Sequence, residues 1–165
     1  MSHLWLVGMM GSGKTTVGAI IAERLGRPVA DTDSLVMQAE GRTIPELFAD
    51  SEEQFRSAER KVIASFAEVP SSVIATGGGA VLDDRNTAIM KELGTIVLLT
   101  ATVEELASRL GKGDRTRPLL ADEASLERIA SERAERYAAV ADAVVDTSSR
   151  TPHEVAEDVL ACVSI

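Results

Sequence analysis

The sequence predicts a three-layer α/β fold in which a short parallel sheet of about five strands is flanked by helices on both faces. Short apolar runs alternate along the chain with longer stretches of helical pattern, and this alternation is typical of parallel sheets. The apolar runs also lack the polar alternation that marks a half-exposed sheet. With 165 residues, 45% of them hydrophobic, the chain is expected to form a single domain over residues 1–165.

Five apolar runs are predicted to form buried strands. In chain order they are LWLV (4–7), PVA (28–30), SVIA (72–75), TIVLL (95–99) and DAVVD (142–146). Helix starts are visible between these runs. Thr102 and Thr151 each stand three residues before a glutamate, which is the spacing of a capping box. Ser51, which precedes two glutamates, is predicted to open another helix.

Two segments are longer than simple connections require. Residues 33–61 are predicted to hold two or three helical pieces between the second and third strands. Residues 111–122, GKGDRTRPLLAD, are polar and too long for a tight turn. Because open α/β sheets bind ligands beyond the carboxyl ends of their strands, both segments are expected to fold over that edge.

The stretch GMMGSGKT, residues 8–15, matches the phosphate-loop pattern G-x-x-x-x-G-K-[ST] in full. Its glycines let backbone N–H groups converge on phosphate oxygens at a helix N-terminus. Lys14 is expected to be exposed and to bridge the β- and γ-phosphates, while the Thr15 hydroxyl binds Mg²⁺. The residues expected at the nucleotide are Gly11, Ser12, Gly13, Lys14 and Thr15 of this motif and Thr16, which follows it. The motif predicts binding of a nucleoside triphosphate, and the alternative is a glycine-rich turn with an exposed lysine.

The rest of the sequence narrows the class of nucleotide-binding protein. No NKxD element for reading guanine occurs in the chain, which weakens the case for a GTPase. The chain is also short for a motor ATPase domain. A small nucleotide-dependent kinase is therefore the favoured class.

Two pairs of charged residues are candidates for the acceptor side. Asp31 and Asp33 follow the second strand and would point in similar directions if the backbone there is extended. One carboxylate would then serve a hydrated Mg²⁺ and the other an acceptor hydroxyl, unless Asp33 only caps the next helix. Arg56 and Glu59 lie three apart on one helical face. They form either a surface ion pair or an anchor in which Glu59 holds Arg56 for a bidentate grip on a carboxylate.

The third apolar run ends in VIATGGGAV, residues 73–81, with three consecutive glycines where many phosphate-loop proteins keep a metal-holding aspartate. The loss of every side chain at Gly77, Gly78 and Gly79 indicates that a ligand lies close to the backbone there.

Charge and composition limit the partners and the compartment. A net charge of −9 argues against nucleic acid as a partner, and no membrane span or signal peptide is visible. Cys162 is expected to be a small buried hydrophobe. The protein is expected to be a cytoplasmic monomer. No role is assigned to His3 or His153. Eight of the 17 basic residues fall within residues 109–150, where they could hold small anions or form helix-surface ion pairs.

Six separated blocks resemble the shikimate kinase family, in the same order along nearly the whole chain. They are GMMGSGKTTVG for the nucleotide loop, DTD for the paired aspartates, FRSAE for an Arg-containing helix, TGGGA for the triple-glycine strand end, RTRPLL for the lid and RAERY for an Arg-x-x-x-Tyr helix.

The resemblance implies a three-layer phosphate-loop kinase fold and transfer of the ATP γ-phosphate to the 3-hydroxyl of shikimate, with Mg²⁺. The residues implied to hold shikimate are Asp33, Arg56 supported by Glu59, Gly77, Gly78, Gly79 and Arg133. It further implies that Asp31 and Thr15 serve Mg²⁺, that residues 33–61 form an acceptor-binding insertion and that residues 111–122 form a lid. Lys14, Asp33 and the lid residue Arg117 are the implied catalytic residues. Arg117 would also contact the nucleotide, with Arg109 and Arg150 beside the adenine.

Some assignments stay open at this point. Arg136 competes with Arg133 beside Tyr137, although the four-residue spacing to the tyrosine favours Arg133. The roles of Lys112 and Arg115 in the lid are undetermined. A related gluconate kinase is the alternative enzyme, and a catalytically silent binding module is the alternative from another class.

Overall fold

The computed structural model describes residues 2–111 and 123–163. Five parallel strands form one sheet in the order β2-β3-β1-β4-β5. The strands are β1 (His3–Val7), β2 (Val29–Asp31), β3 (Val73–Ala75), β4 (Gly94–Thr100) and β5 (Ala143–Asp146). All five predicted strands are present, and β2 extends one residue beyond its predicted end, so that Asp31 is its last residue.

The helices of the described residues flank this sheet. They are α1 (Lys14–Leu25), α2 (Thr32–Glu40), α3 (Ile44–Asp50), α4 (Glu52–Ser65), α5 (Asp84–Leu93), α6 (Val103–Gly111), α7 (Glu123–Val140) and α8 (Pro152–Cys162). Short 3₁₀ turns occupy Phe66–Glu68 and Ala80–Leu82. The long connection between β2 and β3 therefore holds three helices, as the sequence predicts.

The predicted helix starts have identifiable caps. Ser51 accepts a hydrogen bond from the backbone of Gln54 at the start of α4. Thr151 and Glu154 form a reciprocal capping box at α8. Thr102 accepts a hydrogen bond from the backbone N–H of Glu105 at 3.3 Å. The other half of the predicted capping box is replaced, because the Thr102 backbone N–H donates to Ser148 Oγ at 3.1 Å and the Glu105 carboxylate accepts from Arg109 and Ser149.

Successive side chains of the central strand β1 point to opposite faces of the sheet, and each face is covered by helices. Leu4 and Leu6 face one side of the sheet and pack with residues of α1 and α8. Trp5 and Val7 face the other side and pack with residues of α2 to α7. Since both faces of β1 are buried, its residues 4–7 are all apolar, as expected for a central parallel strand.

The carboxyl ends of the five strands meet at one edge of the sheet. The phosphate loop follows β1, the start of α2 follows β2, the three glycines follow β3, and α6 and the loop 147–151 follow β4 and β5. Every described candidate residue therefore lies on, or packs against, this edge.

Two peripheral observations complete the fold. The expectation that Cys162 is buried is wrong, because it lies on the outer face of the last turn of α8 and is exposed. Within the described ranges, none of the helices has the length and apolar character needed to cross a bilayer.

Candidate active site

The phosphate loop has glycine where the backbone and the space demand it. Gly8 has φ +142°, and a β-carbon there would lie 2.3 Å from the carbonyl oxygen of Leu99. Gly13 precedes α1 in a left-handed conformation, with φ 93°. Neither position would accept another residue without strain. The loop consequently leads directly into the N-terminus of α1, where the helix dipole favours phosphate.

Lys14 is folded back under this loop. Its side chain is buried, and Nζ donates hydrogen bonds to the carbonyl oxygens of Gly8 and Met9, each at 2.9 Å. The expectation of an exposed lysine is therefore wrong, because these carbonyl groups bind the ammonium group inside the loop. The positive charge is nevertheless held where a phosphate chain on the loop would need it.

A cavity of about 430 Å³ opens beside the loop. Its lining includes Gly11, Ser12, Gly13, Lys14, Thr15, Thr16, Asp31, Asp33, Arg109 and Arg150. The structure thus brings to one cavity all the described residues predicted to contact the nucleotide. Within the described part of the chain, the buried Oγ of Ser12 has no hydrogen-bond partner, which suits a group that meets a ligand.

Asp31 links the phosphate loop to the start of α2. Its Oδ2 accepts a hydrogen bond of 2.7 Å from the Thr15 hydroxyl, and its Oδ1 accepts one of 3.2 Å from the backbone of Ser34. A hydroxyl and a carboxylate are hard oxygen ligands of the kind that Mg²⁺ takes together with phosphate oxygens. No group of three or more His, Cys, Asp or Glu side chains among the described residues could hold a metal ion alone, so these two oxygens fit a metal shared with a nucleotide.

Asp33 differs from its predicted geometry. The backbone is extended at Asp31 but turns into α2 at Thr32, so Asp33 lies in the first helical turn. Asp31, and not Asp33, is the N-cap of this helix. The Asp33 carboxylate faces the three glycines, because a β-carbon on Gly77 would lie 2.5 Å from its Oδ1. The two aspartates therefore point to different parts of the site, Asp31 to the loop and Asp33 to the glycines.

Arg56 and Glu59 form a buried ion pair against the same glycines. Arg56 Nη1 donates to Glu59 Oε2 at 2.9 Å, and Glu59 is fully buried. Burial raises the pKa of the Glu59 carboxyl, and the Arg56 charge opposes this shift. A β-carbon on Gly79 would lie 2.5 Å from Arg56 Nη2, and one on Gly77 would lie 3.1 Å from Glu59 Oε1. At two of the three glycines, therefore, a β-carbon would meet the protein's own charged side chains, which the sequence analysis did not anticipate.

Two aromatic rings fix the Arg56 guanidinium from α3 and α4. Its Cζ lies 5.1 Å from the ring centroid of Phe55 and 5.8 Å from that of Phe48. The two rings stack on each other with centroids 4.6 Å apart. Sequence reasoning missed this role of Phe48, because only the fold brings α3 beside α4.

Arg133, on α7, completes the cluster. A β-carbon on Gly78 would lie 3.4 Å from Arg133 Nη1. Tyr137, one helical turn later, donates a short hydrogen bond to the Gly78 carbonyl oxygen. The alternative residue Arg136 points elsewhere, with Nε donating to the carbonyl oxygen of Val81 at 2.6 Å. The four-residue spacing to the tyrosine therefore identified the arginine that faces the glycines.

Thr32 is a further site residue that the sequence did not reveal. It is fully buried, and its hydroxyl accepts a hydrogen bond of 2.9 Å from the backbone N–H of Gly77. This bond ties the start of α2 to the glycine turn and so fixes Asp33 relative to Gly77. Its sequence signal was weak, since a threonine in the first turn of a helix is common.

Almost all of the predicted lid is outside the described part of the chain. Of the predicted range 111–122, only Gly111 is described, as the last residue of α6. The catalytic candidate Arg117 and the lid residues Lys112 and Arg115 all lie in the undescribed range 112–122.

A phosphate loop beside a half-buried cluster of two arginines, two carboxylates and bare glycine backbone defines a phosphate-loop kinase that acts on a small molecule. A sequence model of the family described as SKI: Shikimate kinase matches residues 10–164. The shikimate kinase of Symbiobacterium thermophilum is 43% identical over 163 residues, which cover 96% of this chain and 94% of that relative. The chain belongs to the shikimate kinase family, whose members are ATP-using phosphotransferases.

Solved structures separate this family from the alternative enzyme. The shikimate kinase from Acinetobacter baumannii in complex with shikimate superimposes with a TM-score of 0.92 and 35% identity, covering 97% of this chain and 91% of that one. A gluconokinase from Sinorhizobium meliloti gives a TM-score of 0.63 at 19% identity, covering 98% of this chain and 90% of that one. The second likeness shows a shared fold and no more.

Proposed function

We propose that this chain transfers the γ-phosphate of ATP to the 3-hydroxyl of shikimate, with Mg²⁺ as the metal. The observation that carries the proposal is the position of Gly78. A β-carbon there would lie 3.7 Å from both the carbonyl oxygen of Gly8 and the backbone nitrogen of Met10. The cluster suited to a carboxylated, hydroxylated ring therefore adjoins the start of the phosphate loop, as direct transfer between the two substrates requires.

The two arginines of the cluster would bind the shikimate carboxylate. Arg56 is held by Glu59 and by two aromatic rings, so little side-chain entropy remains to be lost when it grips an anion. Arg133 approaches Gly78 from α7. The bare backbone at Gly78, where the nearest protein atom to a β-carbon would lie 3.4 Å away, would let the ring lie beside the two arginines.

The nucleotide would lie along the loop with its phosphates at the N-terminus of α1. Lys14 would move from the carbonyl oxygens of Gly8 and Met9 to the β- and γ-phosphates. Thr15 and Asp31 would hold Mg²⁺, directly or through water. When bound, this ion supplies positive charge to the phosphate oxygens.

Phosphoryl transfer depends on positioning and charge more than on covalent chemistry. Asp33 faces the glycines and would orient the attacking hydroxyl and accept its proton. Lys14 and Arg117 would neutralise the charge of the transferring group. The lid of residues 111–122 would exclude water, which otherwise competes as acceptor.

An ADP-release assay with shikimate, with gluconate and without acceptor tests this function. We expect turnover with shikimate that exceeds both other rates by orders of magnitude. The Lys14→Ala variant should lose more than nine-tenths of this activity, because it lacks the charge that stabilises the transition state. Equal turnover with gluconate would contradict the proposed acceptor. ADP release that does not depend on any acceptor would contradict the kinase function itself.

A further inference from the structure

Glu105, on α6, contacts both walls of the nucleotide cavity. Its Oε2 accepts a hydrogen bond of 2.6 Å from Nη2 of Arg109, one turn later on the same helix. Its Oε1 accepts hydrogen bonds from the backbone N–H and the hydroxyl of Ser149, at 2.5 and 3.2 Å. Ser149 lies in the loop 147–151 that follows β5. One carboxylate therefore joins two segments that are 44 residues apart in the sequence.

Arg109 is fixed by more than this ion pair. Its guanidinium also donates to the carbonyl oxygen of Gly11 at 3.3 Å, to the Thr147 hydroxyl at 2.9 Å and to the Thr147 carbonyl oxygen at 2.9 Å. These acceptors belong to the phosphate loop and to the loop after β5. The planar guanidinium is consequently oriented at the cavity wall and not left to sample rotamers.

Ser149 has the backbone conformation that most needs support. Its φ is +55°, and it is the sole non-glycine residue with a positive φ in the part of the chain that the structure describes. Residues other than glycine, asparagine and aspartate adopt this region reluctantly. The two hydrogen bonds from Ser149 to Glu105 hold the loop in this shape.

We propose that Glu105 is a positioning residue for nucleotide binding, which clamps Arg109 and the loop 147–151 together at the end of the cavity that Arg109, Thr147 and Arg150 line. This inference rests on the proposed function only in taking the cavity as a nucleotide site. Glu105 does not line the cavity itself, so it would act through Arg109 and through the loop. The pairing of a strained serine with a carboxylate on α6 is a property of these particular residues and not of the phosphate-loop motif.

The test measures ADP binding directly, by isothermal titration calorimetry, beside the steady-state constants. Glu105→Ala should raise the ADP Kd and the ATP KM about tenfold, as expected when charge-assisted hydrogen bonds that organise a site are lost. The shikimate KM should change less than about twofold, since the acceptor cluster lies across the sheet edge on α4 and α7. The matched control is Glu104→Ala, which removes the neighbouring exposed carboxylate on the same helix and should leave all three constants unchanged.

Two further variants separate positioning from mere structural support. Glu105→Gln keeps an oxygen that can accept from Ser149 and should recover part of the affinity. Ser149→Gly adopts the positive φ without strain and should recover part of the ADP affinity in the Glu105→Ala background. An unchanged ADP Kd in Glu105→Ala would overturn the proposal, as would equal losses for ADP and shikimate. If the wild-type protein binds ADP but does not phosphorylate shikimate, the proposed function fails while the ADP measurement still decides the role of Glu105.

Discussion

At the scale of single residues, Asp31 gives each of its two carboxylate oxygens a separate partner. One oxygen accepts from the backbone of Ser34 and caps α2, and the other accepts from the Thr15 hydroxyl. Asparagine caps helices about as well as aspartate, so Asp31→Asn should preserve the helix start. What this change removes is the negative charge beside Thr15. It therefore isolates the proposed metal role from the structural one.

We expect Asp31→Asn and Asp33→Asn to fail in different ways. Asp31→Asn should raise the Mg²⁺ concentration needed for half-maximal rate, and excess Mg²⁺ should recover part of the activity. Asp33→Asn should lower kcat by about 10²- to 10⁴-fold with an unchanged Mg²⁺ dependence, because an amide is a very poor proton acceptor. The measurement is a pair of Mg²⁺ titrations at saturating ATP and shikimate. Rescue of Asp33→Asn alone would reverse the two assignments.

The sequence showed which residues form the phosphate loop, but it did not show where their side chains lie. A spacing of glycines determines where N–H groups converge, so the location of Lys14 and Thr15 followed from the motif alone. The burial of Lys14 did not, because it depends on carbonyl groups that only the folded loop brings within 2.9 Å of Nζ. The direction of the Asp33 side chain was not predictable either, because it depends on α2 beginning at Thr32 and not after Asp33.

At the scale of elements, the glycine turn after β3 is shaped by the helices packed on it. Gly79 has φ −94°, an ordinary value that alanine can adopt, so its need for glycine is one of space. A β-carbon there would lie 2.5 to 2.9 Å from three atoms of the Arg56 guanidinium. At Gly78 the nearest atom would lie at 3.4 Å, which is close to ordinary contact. The sequence predicted a close approach at this turn, but it could not show that α4 itself supplies the approaching group at Gly79.

Gly79→Ala should therefore weaken binding of the acceptor by displacing the Arg56 guanidinium. We expect the shikimate KM to rise about tenfold or more, because a displaced guanidinium loses its bidentate grip, while the ATP KM stays within about twofold. Arg56→Lys should raise the shikimate KM similarly, and the double variant should be no worse than either single one. Gly78→Ala, which leaves Arg56 in place, is the comparison variant and reports the approach of the ring alone. Additive effects of Gly79→Ala and Arg56→Lys would mean that the alanine acts by another route.

At the scale of the whole molecule, the layered architecture was predictable because both faces of a parallel sheet are buried. An uninterrupted apolar strand such as residues 4–7 indicates a strand covered on both faces, and the helical patterns between the strands supply the two covering layers. The order of the strands was not predictable from the same pattern. Hydrophobic periodicity gives the type and length of an element but not its neighbour, and here β3 lies between β1 and β2. The contact between Glu105 and Ser149 was not predictable either. It requires that β4 and β5 be neighbours in the sheet, so that α6 and the loop 147–151 lie side by side.

Asp83 connects two of these helices and should make global stability depend on pH. Its carboxylate accepts hydrogen bonds from the side chain and backbone of Arg85 on α5, and from Arg60 on α4. Chiefly because of the hydrogen bond from the Arg85 side chain, the pKa of Asp83 falls from 3.8 to about 2. A carboxylate with a lowered folded-state pKa stabilises the protein above its unfolded-state pKa. That contribution is lost as the pH falls from about 4 through about 2.

Asp83→Asn should lower the free energy of unfolding at pH 7 by about 1 to 3 kcal/mol, since asparagine keeps the helix cap but loses the charge-assisted bonds to both arginines. The difference from the wild type should shrink steadily between pH 4 and pH 2, where the wild-type carboxylate also becomes neutral. Urea unfolding at a series of pH values measures this difference, with Glu92→Gln on the exposed face of α5 as the matched control that should stay near the wild type throughout. A stability difference that does not vary with pH would show that Asp83 acts through packing and not through its charge.

Asp83→Asn should also affect the acceptor site, because it weakens the contact between Asp83 and Arg60. Arg60 lies one residue from Glu59 on α4, so the helix that carries Arg56 should become less rigid. The shikimate KM of Asp83→Asn should therefore rise more than its ATP KM.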